Sequence, residues 1–213
     1  MSQLLHIDAS MRTSGSVSRE LSAAFAQRWR AAHPEGTYVY RDLAATPVPH
    51  LDHATYTAAA LPDEEHTAEQ RVAWAISSEL IDELTAADTV VLGLPMYNFS
   101  VPSTVKAWLD RIITPRTAVD KETGVGSLVG KRFVVTASRG GAYGPGMPRE
   151  DFEFQERYLR AALSSVGLDA DLTFVNAELT LAGVVPAMAQ FKDLAAESLE
   201  NAHRTARELA ASR

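Results

Sequence analysis

Asp88-Thr89-Val90-Val91-Leu92-Gly93-Leu94-Pro95-Met96-Tyr97-Asn98-Phe99-Ser100-Val101-Pro102-Ser103-Thr104-Val105-Lys106-Ala107-Trp108-Leu109 is the stretch on which the fold turns. A short β-branched run, Thr89 to Leu92, feeds a Pro/Gly-punctuated aromatic turn, Gly93 to Pro102, and then a helix-forming segment. A parallel α/β sheet presents a binding loop at the carboxyl end of a strand in this way. The turn is suited to a planar aromatic ligand.

Outward from this stretch the same grammar repeats. Apolar runs at Leu4–Ile7, Val39–Tyr40 after Thr37, Arg132–Ala137 and Leu172–Val175 read as strands covered on both faces. Between them, Val17, Leu21, Phe25 and Trp29 step along one helical face, as do Val72, Ile76, Leu80 and Leu84. The β-α-β-α alternation implies one domain, residues 1–213, built on a five-stranded parallel sheet with helices on both faces.

The helix boundaries carry their own signals. Thr67-Ala68-Glu69-Gln70 has capping-box spacing. Pro102 suits a helix start, and Gly167 stands where a left-handed C-cap follows Phe154, Tyr158, Ala162, Leu163 and Val166. A last helix is expected over roughly 187–211. Ala44–His66, with Pro47, Pro49, Pro62 and three histidines, fits no regular element and reads as a lid or subunit contact. Arg116–Gly130 reads as a turn-rich excursion.

Composition narrows the function classes. The 213 residues carry a formal charge of -7, which disfavours a general nucleic-acid binder. No cysteine is present, so thiolate catalysis and Cys-ligated metal centres are excluded and redox chemistry needs a borrowed cofactor. No His/Asp/Glu spacing suggests a metal site. Met1 to Ile7 lacks a signal-peptide pattern, and no apolar run reaches the ~20 residues of a membrane helix, so a cytoplasmic protein with no membrane partner is expected.

Two further loops carry candidate chemistry. Asp8 to Ser18 is hydroxyl-rich and opens onto a helix, where free backbone amides, Ser and Thr hydroxyls and the helix dipole would make a phosphate site without lysines. It matches neither the P-loop nor the dinucleotide fingerprint. The competing reading is that Ser14 or Ser16 merely caps the helix. Ser138-Arg139-Gly140-Gly141 follows the fourth strand, and adjacent glycines let backbone amides approach a ligand edge; the alternative is a flexible solvent loop. Met96–Phe99 has the alternatives of a core cap or a subunit contact. In the doubly wound order 2-1-3-4-5, strands one, three and four are neighbours and the three loops converge.

With these residues quoted, the chain resembles the FMN-dependent NADH:quinone oxidoreductase and NADH-azoreductase family over nearly its whole length. The resemblance rests on Pro95-Met96-Tyr97-Asn98-Phe99, Ser138-Arg139-Gly140-Gly141, Arg41-Asp42-Leu43-Ala44-Ala45 with Pro47-Val48-Pro49, and the spacing of Ser10 from Ser16-Val17-Ser18. It implies a flavodoxin-like sheet of order 2-1-3-4-5 and bound FMN, the phosphate on Ser10, Ser16, Val17 and Ser18. Met96, Tyr97, Asn98, Phe99, Ser138, Arg139, Gly140 and Gly141 would frame the ring. It further implies NADH or NADPH as donor, quinones and azo compounds as acceptors, ping-pong order, no catalytic side chain, and a homodimer with flavin at the interface. Thr117-Ala118-Val119-Asp120-Lys121 departs from the family's aromatic-basic stretch, and Ala142, Tyr143 and Pro145 are this chain's own. Two other readings remain open: an FMN electron carrier without NADH turnover, and a flavin-free α/β protein holding another phosphate ligand.

Overall fold

The computed structural model describes residues 2–120, 122–147 and 149–212. Strands β1 (Gln3–Asp8), β2 (Thr37–Asp42), β3 (Thr89–Pro95), β4 (Arg132–Ser138) and β5 (Asp171–Ala177) form one sheet in the order β2-β1-β3-β4-β5. All four pairings are parallel, so the expected order 2-1-3-4-5 holds. Each crossover passes through a helix.

Alternate residues of a strand face opposite sides, and both sides here are apolar. On one side Leu4, Val91, Val134 and Val175 meet Leu21, Phe25 and Trp29 of α1 (Val17–Ala32) and the Ala202, Ala206, Ala210 stripe of α6 (Lys192–Ala211). On the other, Leu5, Ile7, Val90, Leu92, Phe133 and Val135 meet α3 (Ala68–Ala86), α4 (Ser103–Ile112) and α5 (Gln155–Ser164) through Leu80, Leu84, Trp108, Leu109 and Leu159. β3 is buried along its whole length, as its unbroken apolar run requires.

The Thr67 capping box forms, with the Gln70 N–H donating to Thr67 Oγ1 and the Thr67 N–H to Gln70 Oε1. Gly167 has φ +77°, the left-handed geometry expected after α5. Three local readings are corrected. Ala44–His66 contains a helix, α2 (His53–Ala59), because the Asp52 carboxylate accepts the Thr55 N–H and caps it. On α3, Val72 is 75% exposed, because the buried stripe starts at Trp74 and runs through Ser77 to Leu80 and Leu84. The last helix opens with a 3₁₀ segment, Pro186–Phe191, and becomes α-helical only at Lys192. No helix among the described residues is long and apolar enough to cross a membrane.

Candidate functional site

Parallel register brings the ends of β1, β3 and β4 together: Asp8 pairs with Gly93, and Pro95 with Ser138. The loops that follow are tied to one another. The Ala9 N–H donates to the Gly93 carbonyl, the Met96 N–H to the Ser138 carbonyl, and the Met11 N–H to the Tyr97 hydroxyl at 3.2 Å. The three candidate loops therefore form one rim at the carboxyl edge of the sheet.

Ser10, Ser16 and Ser18 are buried in that rim, and Val17 is half-buried. Ser16 occupies the N-cap position of α1 but makes no side-chain capping bond; its hydroxyl lies 3.4 Å from that of Ser18 instead. Among the described residues the N–H groups of Val17, Ser18 and Arg19 have no acceptor. A 16-residue helix thus points uncapped amides and two serine hydroxyls into the loop, and the capping alternative is not realised. An anion is the natural complement of such an end.

Tyr97 and Ser100 exchange both backbone hydrogen bonds at 3.0 Å, closing a two-residue turn. Its central residues have positive φ, +47° at Asn98 and +69° at Phe99. That is the pattern of a type I′ turn, which normally recruits Asn-Gly. Phe99 instead spends strain to hold its ring, 39% exposed, tilted 5.5 Å from Phe152 and edge-on 6.4 Å from Tyr143.

In the fourth-strand loop, the segment after β5 braces the glycines: Leu179 N–H donates to Gly141 and Thr180 N–H to Arg139. A Cβ on Gly140 would lie 2.7 Å from Leu181 Cδ1, so a larger residue there must push the exposed Leu181 side chain aside. The Gly140 and Gly141 N–H groups have no acceptor among the described residues. The Arg139 guanidinium does not join them. Itself buried, it turns toward three acids, 3.1 Å from Glu153, 3.5 Å from Glu156 and 3.5 Å from Glu178, leaving Arg139 to contribute backbone only.

Behind the Asp8–Ser18 loop lies a charge cluster centred on buried Asp8. Asp8 accepts from Ser22 at 2.8 Å and Tyr40 at 3.1 Å, and Arg19 grips Asp42. Burial, together with the Asp8 charge, pushes the Tyr40 phenol up to about 12. Burial acts to raise the Asp42 carboxyl, yet the Arg19 hydrogen bond and the Ala44 and Ala45 amides hold it below its usual value. A Cβ on Gly93 would fall 2.3 Å from Asp8 Oδ1, so β3 must carry glycine where it passes this cluster.

The Ala44–His66 excursion is clamped rather than free. Arg111, buried in α4, donates to the carbonyls of Pro49, His50 and Ala73 and to Thr55 Oγ1. Arg116 reaches the Ala58, Ala59 and Leu61 carbonyls, pairs with Asp63 at 2.6 Å and stacks on Trp74. His66 is buried with Nε2 2.9 Å from the Ala58 carbonyl, a structural position. Asp120 turns its own loop, accepting from the Glu122 and Thr123 N–H groups; Lys121 lies outside the described residues. Nothing in the sequence marks Arg19 out from an ordinary helix residue. Nor does it single out Arg12, an exposed cation of the Asp8–Ser18 loop that forms no ion pair among the described residues. Phe152 could have been found only by its nearness to Phe99.

A family model described as flavodoxin-like fold matches residues 2–202. An FMN-dependent NADH:quinone oxidoreductase of Frankia alni is 48% identical over 194 residues, 91% of this chain and 92% of that protein. One from Streptomyces coelicolor is 47% identical over 208 residues, 97% of this chain and 92% of that protein. Among solved structures, an FMN-dependent NADH-azoreductase of Bacillus anthracis in complex with FMN superimposes with a TM-score of 0.80 at 28% identity. The match covers 99% of this chain and 98% of that one.

Proposed function

The chain belongs to the flavodoxin-like-fold family, among its FMN-dependent NADH:quinone oxidoreductases, and on that premise we propose that it is an FMN-dependent oxidoreductase reducing quinones and aromatic azo compounds with NADH or NADPH. The observation that carries the reading is the uncapped start of α1 standing on the same rim as the open Gly140 and Gly141 amides. An anionic group and a flat polar-edged ring, joined in one ligand, match that pair of features.

The residues present fit FMN. Ser10, Ser16, Ser18 and the amides of Val17 and Ser18 would hold the phosphate. Gly140 and Gly141 would donate to the ring edge, where negative charge develops, and the Met96–Phe99 turn would wall the ring. When bound, FMN would supply the redox chemistry, carrying hydride from nicotinamide to acceptor by way of N5 in ping-pong order. The chain's own part is to orient a flat acceptor, to exclude water with Phe99, Phe152 and Tyr143, and to present backbone donors. No side-chain nucleophile is needed. A second copy would complete the site, giving a cytoplasmic homodimer with flavin at the interface.

The test is the absorption spectrum of the purified protein before and after NADH. A flavin spectrum that bleaches supports the enzyme; colour without bleaching leaves an electron carrier, and no flavin uptake ends the reading. Ser16→Ala with Ser18→Ala sharpens it, because neither hydroxyl caps α1 and folding should survive. Each lost hydrogen bond to a charged group is worth ~1.5–3 kcal/mol, so losing both should lower FMN affinity about a hundredfold or more. Unchanged affinity places the phosphate elsewhere.

A further inference from the structure

Arg19 serves the start of α1 twice. Its backbone N–H is one of the open amides, while its guanidinium turns back beneath the loop and donates to the Ser10 carbonyl at 2.7 Å. The same group grips Asp42 with two hydrogen bonds, at 2.8 and 2.9 Å, reaches Asp8 at 3.5 Å and donates to the Tyr40 hydroxyl at 3.1 Å. Its terminal N–H groups are thereby spent, and buried Nε has no partner. His6 also faces Asp8, with Nε2 3.4 Å away.

Two carboxylates therefore lie behind a loop built to hold an anion. Left alone, they and an inward-turned Ser10 carbonyl would repel the phosphate. We propose that Arg19 is a positioning residue for the flavin phosphate: without touching it, the guanidinium draws the Ser10 carbonyl away from the anion and offsets the Asp8 and Asp42 charges. A lysine would keep the charge but not the planar fork that holds Ser10 and Asp42 together. The inference rests on the flavin reading of the site and adds a residue to it.

The discriminating quantity is the preference of the apoprotein for FMN over riboflavin, which lacks the phosphate. Both affinities are measured by calorimetry for the wild type, Arg19→Gln and Arg19→Lys, with thermal melts as a control on folding. Arg19→Gln should cut the preference at least tenfold, since at an effective dielectric of ~20 one unit charge is worth ~1.4 kcal/mol even ~12 Å away. Arg19→Lys should cut it about threefold, with riboflavin affinity unchanged in both. If Arg19→Gln fails to fold, the lysine variant decides. Undiminished preference in Arg19→Lys, or equal weakening of both ligands as a merely structural role would give, overturns the inference while wild-type FMN binding keeps the flavin reading. A wild type that binds neither ligand overturns both.

Discussion

Asn98 and Phe99 show how much one pair of dihedral angles constrains what a residue can be asked to do. A non-glycine residue in the left-handed region costs about 1–2 kcal/mol, asparagine less than most, and two occur here in succession. A bulky or β-branched replacement at 98 would strain the turn as well as fill the site, so loss of activity would not separate fold from function. Asn98→Gly avoids this, since glycine accepts φ +47° freely. Its expected outcome is a melting temperature unchanged or slightly higher, with NADH:quinone turnover down about tenfold, a rise of ~1.4 kcal/mol in the barrier. Melts and steady-state rates on the same preparation check it; full turnover would show that only the backbone of residue 98 matters.

Among the elements, the central strands β1, β3 and β4 were legible because burial on both faces leaves an unbroken apolar run; β2 is an edge strand with Tyr38 and Tyr40 exposed, not covered on both faces as its short apolar run suggested, and the helices were legible wherever their contact was the sheet. Legibility failed where an element packs on something local. The Asp52 cap that makes α2 is a single carboxylate among prolines and histidines, and Val72 kept helical period with Leu80 yet faces solvent because Trp74 sets the rotation of α3. The three site loops could be read because strand ends must converge in this topology. The open amides and the Arg19 grip could not, since both depend on where backbone carbonyls point. The same holds for Arg111, a charge whose partners at residues 49, 50, 55 and 73 are oxygens rather than acids. Burial pulls its pKa below the usual arginine value, and the cationic form persists by those oxygens. Arg111→Met removes the donors and strands the acceptors, which should cost about 3 kcal/mol. Hydrogen exchange should show early opening across 49–61 while β3 and β4 stay protected. Unchanged protection in that segment would mean that Arg116 and the Asp52 cap hold it unaided.

At the scale of the whole molecule, the two helical layers close both faces of the sheet within a single chain, and 213 residues are ample for an independent core. Folding therefore does not require a second copy, but the site has features that one copy leaves uncovered. Phe99, Phe152 and Phe154 are 39%, 49% and 50% exposed at the Met96–Phe99 turn, Met147 is 45% exposed, and Tyr56 and Val72 are 69% and 75% exposed on α2 and α3. Apolar surface of this kind is stabilised when a partner removes it from water, and a symmetric dimer is the commonest way for a soluble chain to do so. The homodimer proposal then predicts that assembly and activity fail together while the fold persists. Sedimentation at micromolar concentration should give twice the 23.1 kDa chain mass. On dilution, turnover per chain should fall in step with the loss of that mass, and the far-ultraviolet circular dichroism should hold constant throughout. A 23.1 kDa species with undiminished turnover would show that one chain builds the complete site and that the exposed aromatic rim serves the acceptor alone.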